Sequence, residues 1–367
     1  MLFLTLKTFS DTGGIEKVCR IAGKVFHELS EEKSDSFLLC SLHDAHTVST
    51  EPYIPKRMFR AFDGNRFRFV WQAVLKGIRS RVVVISHINL ALPALIIKSI
   101  APRTRIIVLA HGIEVWDKIE GVKKKLLEKA DRVVAVSNFT RNKIDADNHI
   151  RQATVINNCI DPFLRPPSTE RNLVRKKIGF RSDDLVLLTV SRISSKEKNK
   201  NYDKVLVALQ KVRQQLPNLR YLFVGKYEEQ EKKRLDELTG TLGLSDAVYF
   251  TGYIPDSELP SYYNAADLYV MPSKKEGFGI TFIEAMYYGL PVLGGKSDGS
   301  ADALMNGMLG VLVDPERQEE ITTGIARILS NPDSFKPDRA LLMEHFGYDA
   351  YKSKWRKELN RAFTTGE

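Results

Sequence analysis

Two glutamates eight positions apart, Glu276 and Glu284, sit in the run Ser273–Gly289 (SKKEGFGITFIEAMYYG). The pattern predicts a strand end, a glycine-bearing loop and then a helix. Glu276 falls in the loop and Glu284 inside the helix. From Gly279 to Glu284 is about one and a half turns, roughly 7.5 Å of rise at 1.5 Å per residue. One carboxylate can therefore meet a ligand at the helix mouth while the other reaches a neighbouring part of the same ligand from the helix wall. Gly277 and Gly279 let the backbone approach closely. The N–H groups of Phe278, Gly279, Ile280 and Thr281 open a helix N-terminus, which suits a phosphate or a sugar hydroxyl. A bare Gly-x-Gly is weak evidence by itself; the paired glutamates shift the balance towards a binding loop.

A second stretch, Ser191–Asp203 (SRISSKEKNKNYD), follows a predicted strand. Arg192 and Lys200 are two cations that can reach the same phosphates, one as a planar fork and one as a movable point charge. Charge of that kind stabilises a diphosphate as it leaves. Lys196 and Lys198 read as a solvated run. Gly13–Gly14 before the helical pattern from Ile15 is a possible phosphate-facing loop. It is not G-x-G-x-x-G, and no acid stands about 20 positions on, which weakens a nicotinamide-binding reading. His111 in Ala110–Trp116 (AHGIEVW) stands at a predicted strand end and could orient a hydroxyl or relay a proton. A lone histidine is more often structural, and His87 has less support still. No His/Cys/Asp cluster has metal-ligand spacing, so neither a metal nor a cofactor is expected.

The elements that must position these residues form two successive α/β units. Strand-like runs are Leu2–Leu6, Phe37–Ser41, Arg81–Ser86, Arg105–Ala110 and Arg132–Ser137, with a helix over Ile15–Leu29. After a proline-bearing stretch, Asp161–Arg171 (DPFLRPPSTER), the pattern resumes with strands Asp184–Ser191, Arg220–Gly225, Val248–Thr251, Leu268–Pro272 and Pro291–Leu293. Between them lie helices Tyr202–Gln215, Gln230–Leu242, Leu259–Ala265 and Gly279–Gly289. Apolar strands alternating with helices predict parallel sheets covered on both faces. Residues 1–165 and 166–349 are the expected domains, two doubly wound sheets facing each other across a cleft at their strands' carboxyl ends.

Length and composition agree. The 367 residues suit two domains, and 43% hydrophobic with 27% charged residues excludes a largely disordered chain. No apolar run reaches the ~18–20 residues of a membrane span. The N-terminal stretch lacks a secretory pattern. Three scattered cysteines (Cys19, Cys40, Cys159) predict a reducing, cytoplasmic setting rather than a disulfide framework.

The formal charge is +10, and residues 1–165 hold 26 basic and 17 acidic residues, so +9 of it lies there. The excess is densest in Lys56–Arg81, with eight basic residues and one acid, Asp63; Lys123, Lys124 and Lys125 form a second cluster. Phe67, Val70, Trp71, Val74 and Ile78 recur there at helical spacing. Such a helix either faces an anionic membrane, at about 1 kcal/mol per nearby Lys or Arg, or packs on the core with a solvated outer face. One apolar stripe cannot serve both fully. No nucleic-acid motif accompanies the charge, so no nucleic acid is expected.

At these residues the chain resembles the family 4 retaining glycosyltransferases of the GT-B fold. The likeness is strongest over Arg192–Pro315. It rests on Glu276–Glu284 as an E-x7-E signature, on the Arg192…Lys200 pair, and on the runs FTGYIPDSELPSYYNAADLYVMPS and GLPVLGGKSDGSADAL. The Gly13–Gly14 loop and His111 are weaker marks. One departure is Asn201, where members usually have glycine after the phosphate-binding lysine. Asn tolerates left-handed backbone geometry better than most residues. Asp145-Ala146-Asp147 has the metal-binding Asp-x-Asp form of another glycosyltransferase architecture, but it lies in a polar segment away from a strand end and reads as surface.

The resemblance implies an enzyme that moves a sugar from a nucleotide diphosphate to an acceptor hydroxyl with retained configuration and without a metal. The second domain would bind the donor and the first the acceptor. Glu284 would hold ribose hydroxyls and Glu276 the donor sugar. Phe278, Gly279 and Ile280 would offer amides to the sugar, and Thr281 to the phosphate. Tyr253 and Ile254 would border the base, and Gly225 completes the donor-binding set. Gly14 would touch the diphosphate, His111 the donor sugar, and a helix over about 350–367 would return to the first domain. The donor expected first is UDP-glucose and second GDP-mannose. The expected acceptor is a lipid-linked saccharide in surface polysaccharide or glycolipid synthesis, with peripheral association at the inner membrane face. A small soluble acceptor, or nucleotide-sugar binding without turnover, are the alternatives.

Overall fold

A computed structural model describes residues 1–10, 13–150 and 153–364. It divides into two compact units: Met1–Phe163 with the segment from Phe346 onward, and Leu164–His345. The sequence places the break at 165/166 and the return at 350. The chain returns to the first unit slightly earlier because Phe346 is buried and its carbonyl accepts the Ile160 N–H at 2.8 Å.

The first unit is a seven-stranded sheet of β1 (Leu2–Thr5), β2 (Leu38–Ser41), β3 (Phe59–Ala61), β4 (Val82–Ile85), β5 (Arg105–Ala110), β6 (Arg132–Ala135) and β7 (Ala153–Val155). Every pair is parallel, in the order β3-β2-β1-β4-β5-β6-β7. Alternate side chains of one strand enter opposite cores. Leu2, Leu4, Val83 and Ile85 join Phe69, Ala73 and Trp116 on one face. Phe3, Val82 and Val84 join Phe26, Leu29 and Trp355 on the other. Both faces are covered, which is why the strands read as unbroken apolar runs.

The second unit has six parallel strands: β8 (Leu185–Val190), β9 (Leu219–Val224), β10 (Val248–Phe250), β11 (Leu268–Met271), β12 (Val292–Gly295) and β13 (Val311–Val313). Their order is β10-β9-β8-β11-β12-β13. Helices Tyr202–Val212 and Gln318–Ser330 cover one face of this sheet through Val205, Leu209, Ile321 and Ile325. No helix or strand is formed over residues 156–170, the proline-bearing stretch.

The helix Tyr348–Thr364 belongs to the first unit. Tyr351, Trp355, Leu359 and Ala362, spaced at three and four residues, are buried in its core. Trp355 meets Phe26 edge-on at 4.8 Å. Lys352 pairs with Glu28 at 2.6 Å, and Arg356 with Glu32 at 2.9 Å.

The predicted basic helix forms over Arg66–Gly77, capped by the Asn65 side chain on the Arg68 N–H. Its apolar residues do not make one stripe. Phe69, Ala73 and Gly77 are buried, Val70 and Val74 pack beside them, and Phe67 and Trp71 stay exposed. The three cysteines are buried free thiols, and burial pushes Cys19 and Cys40 up to about 12. Asp145 and Asp147 are exposed on helix Asn138–Asn148.

Candidate active site

In the second unit the strand order reverses direction between β8 and β11, whose neighbours on either side run β9-β10 and β12-β13. Loops leaving the carboxyl ends of two such strands part there and leave a crevice for a ligand. Arg192 and Lys200 lie after β8; Glu276 lies after β11. The Lys200 ammonium is ion-paired with the Glu276 carboxylate. Burial alone would lower the Lys200 pKa; the carboxylates of Glu276 and Glu197 outweigh it and raise the pKa. Arg192 is exposed and makes no ion pair among the described residues. The loop thus presents one anchored cation and one free to move.

Local backbone explains how Lys200 is aimed. The segment Ser195–Lys200 is a 3-10 turn, and Asn201 then adopts φ 58°, ψ 32°. Its side chain donates to the carbonyls of Pro272, at 2.8 Å, and Pro315, at 3.3 Å. A glycine would supply the backbone angle but not these bonds, which tie the lysine loop to the end of β11.

The Glu276 loop is held from below by Asp298, which sequence patterns do not single out. One Asp298 oxygen accepts the Glu276 N–H at 2.7 Å and the Ser273 hydroxyl at 2.8 Å; the other accepts the Ser300 N–H at 2.9 Å. Burial pushes this carboxyl up to about 6, against the hydrogen bonds from Ser300 and Ser273 that favour its anion. Gly299 lies so close that an added Cβ would sit 2.1 Å from the Gly277 carbonyl oxygen. The only sequence signal for the device is an Asp-Gly pair after a strand.

Gly279 takes φ 84° and precedes helix Ile280–Tyr287, whose N-terminus no side chain caps. Phe278 and Ile280 are buried; Thr281 is half-buried and accepts from the Tyr269 hydroxyl at 2.6 Å. Glu284, 1% exposed, accepts from the Tyr263 hydroxyl at 3.0 Å. Burial and this carboxylate raise the Tyr263 pKa, so the phenol remains a donor. Near β9, Gly225 has φ 150°, and a Cβ there would lie 1.9 Å from the Ser191 carbonyl oxygen. Tyr253 is exposed beneath the Lys226 ammonium, 4.8 Å from its ring centre, and Ile254 is half-buried.

Gly14 and His111 lie in the first unit. Gly14 opens helix Gly14–Glu31 after β1 and is exposed. The preceding loop is fixed by Asp44, which accepts the N–H groups of Thr8, Phe9 and Ser10 at 2.7–3.1 Å. His111 follows β5. Its Nε2 lies 2.8 Å from the Ser86 carbonyl, while buried Nδ1 has no partner among the described residues. Since a carbonyl only accepts, Nε2 carries the hydrogen and Nδ1 is a bare acceptor. Burial lowers the His111 pKa against the pull of Glu114, keeping the ring neutral. His87 is likewise lowered, and its Nδ1 accepts the Asn89 N–H. Among the described residues no group of three or more His, Cys, Asp or Glu is placed to hold a metal ion.

The geometry is matched by family and structural likeness. A family model described as glycosyl transferases group 1 matches residues 170–352, and one described as glycosyltransferase family 4 matches residues 25–163. A GDP-mannose-dependent α-(1-6)-phosphatidylinositol monomannoside mannosyltransferase of Mycolicibacterium smegmatis is 26% identical over 83% of this chain and 78% of its own. Mannosylfructose-phosphate synthase of Agrobacterium fabrum is 35% identical over 43% of this chain and 35% of its own. Among solved structures, Anabaena HepE in complex with UDP and glucose superposes with a TM-score of 0.80 at 21% identity, covering 98% of this chain and 100% of the other. Two parallel sheets of this order, two cations on the loop at the second sheet's switch point and both family matches lead to one assignment: the chain is a glycosyltransferase that uses sugar-nucleotide donors and belongs to family 4 of the GT-B fold.

Proposed function

We propose that the protein is a retaining, metal-independent hexosyltransferase that transfers a sugar from a nucleoside diphosphate to a hydroxyl of a lipid-linked saccharide. The observation that carries this reading is the Lys200–Glu276 pair, fixed over Asp298, with Arg192 exposed on the same loop and in no ion pair among the described residues. Cleavage at the anomeric carbon leaves an oxocarbenium-like sugar and a diphosphate anion. Arg192 and Lys200 stabilise that anion. Glu276 holds the sugar with the amides of Phe278, Gly279 and Ile280, and Thr281 meets a phosphate. Glu284 holds ribose, Tyr253 and Ile254 border the base, and Gly225 belongs to the same donor-binding set. With Glu284 given to ribose, no carboxylate pair remains for a double displacement. The acceptor hydroxyl attacks from the face the diphosphate leaves, and the departing phosphate oxygen takes its proton.

UDP-glucose is the donor proposed first. GDP-mannose is the second reading, favoured by one observation: the M. smegmatis relative is named for a GDP-mannose-dependent mannosyl transfer. That name, and an α-monoglucosyldiacylglycerol synthase of Streptococcus pneumoniae at 30% identity over 51% of this chain, also support a lipid-borne acceptor. The free thiols support a reducing compartment. Thermal-shift screening against UDP- and GDP-hexoses identifies the donor. Transfer to a lipid-linked or a small soluble acceptor, with the product's anomeric configuration read by NMR, tests the rest. Donor binding without any transfer or hydrolysis would overturn the enzyme reading, and a sugar trapped covalently on Glu276 would overturn the same-face mechanism.

A further inference from the structure

The first unit has a cavity at the rim of its sheet opposite to the one that carries Gly14 and His111. Those two follow β1 and β5, at the strands' carboxyl ends. The cavity instead borders Met1 and Val82, where β1 and β4 begin. Counting space open to solvent, it measures about 710 Å³, within the range of small-molecule pockets. Its buried lining is apolar: Leu29, Val82 and Leu359 are each no more than 3% exposed. Its mouth is cationic. Lys33, Arg79, Arg81 and Arg356 line it and reach solvent, against one lining acid, Asp35. Asp35 stands 3.9 Å from Arg81, Arg356 pairs with Glu32, and Lys33 donates to the Asn360 side chain at 2.8 Å. Arg79 has no carboxylate partner among the described residues.

Like charges gathered round one opening repel one another, and an anion seated among them relieves that repulsion. The end of helix Gly14–Glu31 lies beside the cavity, and free carbonyls there would oppose an anion. They are taken: the Ser30 carbonyl accepts the Lys33 and Asp35 N–H groups at 3.1 and 2.9 Å, and the Glu31 carbonyl accepts the Ser34 N–H at 2.9 Å. Ser30 also lines the cavity. It is 2% exposed, and its hydroxyl has no partner among the described residues, whereas buried hydroxyls are as a rule hydrogen-bonded. We propose that this cavity binds a small soluble organic phosphate, its apolar body against Leu29, Val82 and Leu359 and its phosphate on the guanidinium groups at the mouth. A guanidinium fork matches phosphate oxygens two at a time, and a doubly charged phosphate suits four cations against one acid better than a single carboxylate does. The site shares no residue with the donor-binding set and does not rest on the proposed reaction. Its ligand bridges helix Gly14–Glu31, the turn before β4 and helix Tyr348–Thr364, so occupancy stabilises the first unit.

Phenyl phosphate is the probe. Inorganic phosphate, phenol and benzoate are controls that lack the ring, the charge and the second charge. Calorimetric titration of the full chain is expected to show phenyl phosphate binding about fivefold or more tighter than any control, and weakening as salt rises. Near saturation the melting temperature should rise by about 2–4 °C. Arg79→Glu combined with Arg81→Glu should abolish the binding and the rise. Arg79→Lys, which keeps the charge and loses the fork, should bind at an intermediate level. Ser30→Ala should weaken binding without lowering the melt of the free protein. No binding of millimolar phenyl phosphate at low salt overturns the proposal. So does equally tight binding of benzoate or inorganic phosphate. Binding lost in Arg192→Ala but kept in the Arg79 and Arg81 double variant would place the anion at the donor site and overturns it too. So does sedimentation with anionic vesicles that needs Arg79 and Arg81 while phenyl phosphate does not bind. Circular dichroism confirms that the variants fold. Nucleotide titration of the double variant, expected to match the wild type, separates failure here from failure of the donor assignment.

Discussion

Lys200 and Glu276, 76 positions apart in sequence, are ion-paired at the carboxyl ends of β8 and β11. In the proposed reaction, the group that serves the diphosphate and the group that serves the sugar thus hold each other in place before either meets its ligand, and a diphosphate that shares or takes the ammonium frees the carboxylate for the sugar.

Lys200→Ala and Arg192→Ala are each expected to lower kcat about 10²–10³-fold, as for lost stabilisation of transition-state charge. They should differ in stability. Arg192 is exposed and has no ion-pair partner among the described residues, so its variant should melt with the wild type; Lys200→Ala leaves the Glu276 carboxylate without its ammonium and should melt lower. Steady-state kinetics and thermal melts check both, and unchanged rates would remove the diphosphate assignment.

Asp298 gives a pH-dependent signature. Its carboxyl is raised from an ordinary 3.8 to about 6 by burial. Between those values the folded protein holds a proton that the unfolded chain has released. The contribution to stability is therefore present below the unfolded value and lost as pH rises through about 6. The unfolding free energy of wild type minus that of Asp298→Asn should be larger at pH 4 than at pH 7, by on the order of 2–3 kcal/mol. Urea titrations of both proteins at the two pH values measure it; a difference that stays flat would show that Asp298 titrates normally.

Glu284→Ala should chiefly weaken nucleotide binding, about 10–100-fold for the loss of a charged hydrogen-bond acceptor. Tyr263→Phe, which removes the hydroxyl that donates to Glu284, should give a smaller loss in the same direction. Calorimetric titration with UDP and GDP reads both, and an unaltered Kd for Glu284→Ala would dismiss the ribose role.

Trp355→Ala should destabilise the first unit by about 3–5 kcal/mol, the usual range for emptying a buried aromatic site. Arg356→Ala, one residue on and half-exposed in its pair with Glu32, should cost under about 1 kcal/mol. Denaturant midpoints distinguish the two, and a Trp355 variant as stable as wild type would mean the helix is dispensable.

The architecture was largely legible because both sheets are covered on two faces, so strands such as β4 and β5 are continuous apolar runs. β3, β7 and β13 were not, since each is three residues long and forms by pairing with a neighbour already in place. The glycine loop, the two glutamates and the two cations were legible as residue types at a spacing, and the left-handed turn at Asn201 from its residue preference. Asp298 was invisible because accepting a backbone N–H requires no pattern, only proximity. Helical period grouped Phe67 and Trp71 with Val70 and Val74, but angular position alone does not say where a core's edge falls.

The return of Tyr348–Thr364 to the first unit means that one body is closed by a single run of chain and the other is not. Residues 164–345 are contiguous, whereas the first unit takes its Trp355 wedge from beyond them. A purified chain cut back to residue 346 should therefore resist protease over the later body and be cut within the earlier one; equal resistance of both would show that the wedge comes after the fact.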